Sequence, residues 1–325
     1  MLDLGGDAAS DSGGSAPAEA GDGADGGTPM AGPTAIPNTC ALGGSLTGAP
    51  GWIVFDSDAL ELVRHIFAVR ASDCALLQLT SGPHAEQEPA VSPDGKTLVF
   101  SSNRSSDGSM QLFSMDLASQ TLRQLTSQTG GAGQAVFSPD GTSIAYHSAP
   151  DVYLMAADGS DDHVVVVSPD GADYEHPAFS PDGASILVDR TNEIDAFGLD
   201  GHDEGYVVNN TTQEEFYPAP SPDGVSLAYV TGCDASVGDP TIMVSMLATP
   251  VYPCDAQQWN QPNFGTISHP SWGSVSWIAF AHIGSSGLNH VALSNANQGV
   301  ADLVDDYGDQ RNPQWAPPTF DPGTN

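Results

Sequence analysis

The chain has 325 residues, enough for two ordinary domains or one large repeat array. It carries 41 acidic against 7 basic side chains, a net charge of −34, which repels nucleic acid and anionic membrane surfaces. Cationic partners, divalent metals and saline surroundings are the compatible contexts, and no run of 18 or more apolar residues offers a helical membrane span.

The first 38 residues are mostly Gly, Ala, Ser, Asp and Pro, with six acids, no Lys or Arg and no hydrophobic period. Such a segment buries too little apolar surface to offset the entropy of ordering, so residues 1–50 are expected to form a disordered acidic tether. Without those six acids the remainder still holds 35 against 7, so the folded body is acidic too. The tether has the composition of the spacer that follows the anchoring cysteine of a bacterial surface lipoprotein. Cys40, after "IPNT", lacks the small-residue box and apolar run of a lipidation site. An export signal would have to precede Met1.

Of the four cysteines, none forms a C-x-x-C pair, which argues against a zinc ribbon or a thioredoxin-like site. Their placement points to two local disulfides, Cys40–Cys74 and Cys233–Cys254, and an oxidising, extracytoplasmic compartment; four reduced thiols are the alternative.

From residue 51 the pattern becomes strand-like. "GWIVFDS" (51–57), "RHIFAVRAS" (64–72) and "ALLQLTS" (75–81) read as three strands. Four near-copies of one phrase follow: "VSPDGKTLVF" (91–100), "FSPDGTSIAY" (137–146), "FSPDGASILV" (179–188) and "PSPDGVSLAY" (220–229). Their serines, Ser92, Ser138, Ser180 and Ser221, are separated by 46, 42 and 41 residues, the period of a four-stranded propeller blade. In each S-P-D-G, Pro presets a turn φ, Asp bonds its own backbone and Gly takes a positive φ. Asp94, Asp140, Asp182 and Asp223 are therefore expected to be hairpin residues, not catalytic or calcium-binding ones. "SHPSWGSVSWIAFAHI" (268–283) is a degenerate fifth unit, and "RNPQWAPP" (311–318) supplies the first strand that the N-terminal three lack. The sum is an all-β, six-bladed propeller over 51–318, with 51–82 and 309–318 sharing the closing blade and 319–325 left as a tail. A ring closed this way has no open sheet edge at its seam.

The phrases "HPAFSPDGASILV" and "YPAPSPDGVSLAYV", with "LFSMDLASQTLRQLTS" completing a blade, resemble the β-propeller repeats of the TolB family over about residues 51–318. The resemblance implies the fold and an envelope-associated binding role. The TolB protein also has an α/β domain before its propeller, and the acidic tether stands in that place here. Similar propellers cap serine peptidases of the prolyl oligopeptidase type, but no G-x-S-x-G nucleophile elbow occurs.

In such a ring the first strand of each blade lines the central channel. One position ahead of the Pro column stand Glu88, Gln134, His176, Tyr217, His269 and Asn312, a polar set at one mouth. His176 and His269, helped by Glu88, Gln134 or Glu175, are the candidate ligands of a divalent cation (Mn, Zn or Ca). His65 and His84 are expected on solvent-facing turns or strand faces. Trp259 lies in the longest inter-blade insertion, about 231–266, where a binding loop could form. The leading expectation is a monomeric, non-enzymatic module binding a protein or glycan. The alternative is a metal-assisted polysaccharide lyase or hydrolase at the channel mouth.

Overall fold

The structure, a computed structural model, describes residues 30–38, 49–60, 63–190, 193–209, 215–232, 241–247, 257–259, 266–274, 276–284, 286–295, 299–304 and 308–322. Strands β1 (Thr34–Ile36), β2 (Trp52–Ser57), β3 (His65–Arg70) and β4 (Leu76–Gln78) join the last strand, β25 (Gln310–Trp315), in one sheet of order β1-β4-β3-β2-β25. Four-stranded sheets follow in chain order. The first holds β5 (Glu86–Val91), β6 (Thr97–Ser102), β7 (Gln111–Asp116) and β8 (Leu122–Gln124); the second holds β9 (Gly133–Phe137), β10 (Ser143–Ser148), β11 (Asp151–Ala156) and β12 (His163–Val166). The third comprises β13 (Glu175–Phe179), β14 (Ser185–Arg190), β15 (Glu193–Gly198) and β16 (Asp203–Asn209). The fourth comprises β17 (Glu215–Pro220), β18 (Ser226–Thr231), β19 (Thr241–Met246) and β20 (Gln257–Gln258). The fifth comprises β21 (Ile267–Ser274), β22 (Trp277–Ile283), β23 (Asn289–Asn295) and β24 (Gly299–Asp302). The innermost strands β25, β5, β9, β13, β17 and β21 neighbour one another in a closed cycle, so the molecule is a six-bladed propeller shut by β2–β25 pairing.

Each blade buries both faces, which is why its second strand reads as an unbroken apolar run. On β6, Leu98 and Phe100 pack toward the closing blade while Val99 packs toward the second blade. On β18, Leu227 and Tyr229 face the third blade, and Ala228 and Val230 face the fifth. Six hydrophobic clusters fill the six blade interfaces. Strand alternation thus feeds two interfaces from one run, and each fully buried Leu, Ile or Phe contributes roughly 1.5–3 kcal/mol.

The four S-P-D-G phrases are structural turns. In each, the Ser Oγ–H donates to the Asp Oδ1 (2.7, 2.7, 2.6 and 2.6 Å) and the Gly N–H donates to the Ser carbonyl. The same Asp Oδ1 accepts the N–H of Lys96, Thr142, Ala184 or Val225, and the Ser Oγ accepts the N–H that opens the next strand. The glycines take φ values of 74°, 73°, 72° and 73°, which L side chains rarely adopt. These local bonds hold all four aspartates below the usual carboxylate range.

Both ends of the chain carry more structure than expected. The expected tether of residues 1–50 contains β1, which pairs with β4 as a fifth strand of the closing blade. Asn38 Nδ2 donates to the carbonyls of Cys74 and Leu303, and Ala49 is buried. At the other end Phe320 is buried against the first blade, and Thr319 Oγ1 donates to the Pro93 carbonyl. A three-residue strand and a single anchoring Phe carry too little periodicity to be read in advance.

Candidate functional site

The residues ahead of the Pro column share an uncommon backbone. Glu88, Gln134, His176, Tyr217, His269 and Asn312 have φ of 56°, 52°, 48°, 61°, 52° and 51°, all left-handed. At each of them the pairing between first and second strands shifts register. A bulge therefore sits at the same height in every blade, and each non-Gly residue in this region costs about 1–2 kcal/mol. Hydrogen bonds to the freed N–H groups offset part of that cost. Glu88 N–H donates to Asp56 Oδ1 and Gln134 N–H to Glu88 Oε2. His176 N–H donates to Gln134 Oε1 and Tyr217 N–H to Asp189 Oδ1. Side chain to backbone, the column is linked from blade to blade.

A second column lies behind the first. The residue paired just below each bulge on the second strand is Asp56, Ser101, His147, Asp189, Val230 or Ala281. Where it is Asp or Ser, it engages the inner ring. Asp56 Oδ1 accepts Asn312 Nδ2–H at 2.7 Å, and Ser101 Oγ–H donates to Glu88 Oε2 at 2.9 Å. Glu88 Oε2 also lies 2.5 Å from where a Cβ of Gly133 would stand, so a larger residue there would have to displace this carboxylate. Asp189 bonds His176 Nδ1 at 2.9 Å. Val230 and Ala281 are buried and apolar, and Nδ1 of His269 is buried without a hydrogen-bond partner among the described residues.

The electrostatics follow from these neighbours. Burial opposes charge on His176, but Asp189, with Glu175 and Glu88, outweighs it and raises the imidazole above its ordinary value. His269 is held well below by burial, with His176 and Arg311 adding to the effect. Burial pushes Asp56 up to about 6 against the pull of Arg64. Between the two imidazoles lies the Tyr217 ring, 4.1 Å from each by centroid, its hydroxyl pushed up to about 12 by burial, Asp189 and Glu175. The ring thus presents one imidazole that readily takes a proton and one that stays neutral.

Asp189→Asn is expected to drop the His176 pKa below the ordinary imidazole value, because burial is then opposed only by the more distant carboxylates. Imidazole NMR titration reads this directly; a midpoint unchanged from wild type would show that Asp189 does not control the charge. The sign for stability follows. The raised His176 contributes stability in full below the ordinary value of about 6.5, and this is lost as pH rises through the folded value.

Beyond the ring, on the S-P-D-G side, a cavity of about 310 Å³ opens along the axis. Its wall is mainly apolar, including Pro139, Pro177, Pro222, Phe137, Phe179 and Trp272, and its polar end is the six-residue column. The Trp272 Nε1–H donates to the Ala219 carbonyl across two blades, fixing the indole in the wall.

The family model described as the TolB beta propeller domain matches residues 78–276. The chain belongs to the TolB β-propeller family. TolB from Acinetobacter baumannii is similar to this propeller with a TM-score of 0.67 at 18% identity, over 82% of this chain and 67% of that one. A chain assigned as TolB from Agrobacterium tumefaciens gives a TM-score of 0.57 at 18% identity, over 82% and 92%. A chain of a nidogen/laminin complex gives 0.62 at 9% identity, over 81% and 98%. At these identities the structural likeness shows the fold alone.

In this TolB-family propeller the six column residues stand in one ring and all six line the cavity. His176 and His269 come within 5.6 Å by ring centroid, but His176 Nδ1 is committed to Asp189, and Glu88 Oε2 to Gln134 and Ser101. Among the described residues, the three whose ligand atoms lie within 4.8 Å of one another are instead His147, Asp173 and Glu175. Sequence reasoning passed over His147; the signal was its place in the second column, legible once the blades are aligned on their second strands. Cys74 is disulfide-bonded. Cys40, Cys233 and Cys254 lie outside the described residues, as does most of the 231–266 insertion, so the pairings Cys40–Cys74 and Cys233–Cys254 are carried forward as proposals. Trp259 packs in the core, its indole N–H bonded to Ser294 Oγ at 2.9 Å. His65 departs from expectation: it is buried, with Nδ1 2.7 Å from the buried Glu86, which also pairs with Arg104. Both faces of a blade are covered, so a polar strand residue need not face solvent.

Proposed function

We propose that this TolB-family propeller is an extracytoplasmic binding module that receives a segment of a partner protein in its central channel. The observation that carries this reading is the axial cavity, apolar along its Pro, Phe and Trp wall and polar at the ring. Prolines and aromatics offer flat apolar faces, and the prolines carry no backbone N–H, which suits an extended peptide whose side chains point outward to the wall. The protein's −34 charge favours a cationic partner and speeds its approach at low salt. A disulfide at Cys74 fits an oxidising compartment outside the cytoplasm. Among the described residues no helix is long and apolar enough to cross a membrane.

The test is a peptide array and a glycan array probed with the wild-type chain and with Ala178→Trp, which places an indole in the cavity wall. Peptide binding weakened by about tenfold or more in the variant, with an unchanged melting temperature, is expected for a channel site. Binding that survives the variant would move the interaction off the axis, and selective glycan binding would replace the protein partner with a saccharide.

A further inference from the structure

We infer that His147, Asp173 and Glu175 form a binding site for a divalent transition-metal ion of the Mn–Zn group, bridging the second and third blades. His147 comes from β10 of the second blade, whereas Asp173 and Glu175 come from the segment that enters β13 of the third. Their ligand atoms all lie within 4.8 Å of one another. An ion held at about 2.0–2.2 Å by each ligand needs separations near 3–4 Å, so closing the site asks for shifts of under about 1 Å. Tyr174, between the two carboxylates, is buried, edge-on to Phe197 at 5.6 Å, and its N–H donates to the Pro150 carbonyl. That anchor fixes the backbone from which both acids project.

Two independent observations point to a cation here. The Nε2 atom of His147 is buried with no hydrogen-bond partner among the described residues, a cost of about 1–3 kcal/mol that a bound ligand removes. The carboxylates of Asp173 and Glu175 stand together without an ion pair or hydrogen bond among the described residues, and Glu88 adds further negative potential at the same imidazole. One imidazole with two carboxylates is a mixed N,O set, which selects first-row transition ions over Mg²⁺ or Ca²⁺. Three protein ligands leave coordination positions open to water or to an oxygen donor. Glu175 precedes the column residue His176 while the cavity is lined by residues that follow it, so the ion would sit on the far side of the ring from the cavity.

The experiment uses the full chain, stripped with chelator, titrated with Mn²⁺ and followed by electron paramagnetic resonance in excess Mg²⁺ to occupy the diffuse acidic surface. The expected result is one saturable Mn²⁺ per chain, weakened by at least about tenfold in both His147→Ala and Glu175→Gln and unchanged in His269→Ala. Glu175→Gln keeps size and shape, and equal melting temperatures in chelator confirm that each variant folds. Zn²⁺ should displace the Mn²⁺ and raise the melting temperature of the wild type but not of His147→Ala. Absence of a saturable site overturns the inference, as does Mn²⁺ binding that survives both substitutions. Loss in His269→Ala with retention in His147→Ala would assign the ion to the channel ring instead.

Discussion

A chain ending at Gly308 is expected to lose its cooperative unfolding transition altogether. The deleted β25 supplies the inner strand of the closing blade, and its removal strips β2 of a partner along Ile53–Ser57. Trp315 goes with it, from a cluster that includes Phe55, Phe67, Trp277 and Leu293. The Trp315 indole lies so close over Gly273 that a Cβ there would stand 2.0 Å from the ring, and its N–H donates to the Pro50 carbonyl. Gln314 Oε1 also accepts the Val91 N–H, tying β25 forward to the first blade. Losing one large buried aromatic costs about 3–5 kcal/mol, and losing the strand exposes two interfaces besides, against a total stability of about 5–15 kcal/mol. Thermal melts by circular dichroism decide the matter. A sharp transition near that of the full chain would mean that the other five blades stand without closure.

The second large effect is expected at Glu86→Ala. Glu86 is fully buried, its Oε2 at 2.7 Å from Nδ1 of the buried His65 and its Oε1 paired with Arg104. The Arg104 guanidinium is further held against Phe100 and Phe113. Deleting the carboxylate leaves a largely buried cation beside two aromatic rings, where solvent can replace the lost partner only in part. The expected cost is about 3–5 kcal/mol, read as a lowered denaturant midpoint at unchanged slope. A loss under about 1 kcal/mol would show that the desolvation of the network cancels its attraction in the wild type.

What could be read in advance was what is written locally and repeatedly. S-P-D-G closes a hairpin with bonds contained inside six residues, and the same bonds recur four times, so both the blade period and the structural role of Asp94, Asp140, Asp182 and Asp223 were legible. Four residues of the inner column were legible for the same reason, each standing four positions before the Ser of a turn, and His269 and Asn312 by the prolines that follow them. Its left-handed backbone was not, because five of the six residues precede a proline, and such a residue ordinarily avoids the helical region in favour of extended conformations. The second column depends on strand register, which a single sequence states only weakly. Repeat alignment puts His147 level with Ser101, Asp189 and Val230, but that this position lies behind the ring follows from strand pairing such as that of Gly133 with His147. His65 was misjudged because the period-two pattern tells faces apart but not which face meets water when both are covered. β1 escaped notice because pairing with an existing edge needs backbone groups, not side-chain pattern.

The two columns together give the channel a property that six copies of one unit would lack. Around one side of the axis the inner residues are backed by Asp56, Ser101 and Asp189; around the other they are backed by Val230 and Ala281. Turning a guest by one blade would exchange a carboxylate-backed imidazole at His176 for a tyrosine, and by two for the unpartnered imidazole of His269. The passage is therefore keyed in azimuth: whatever enters along the axis meets walls that distinguish one rotation from the other five.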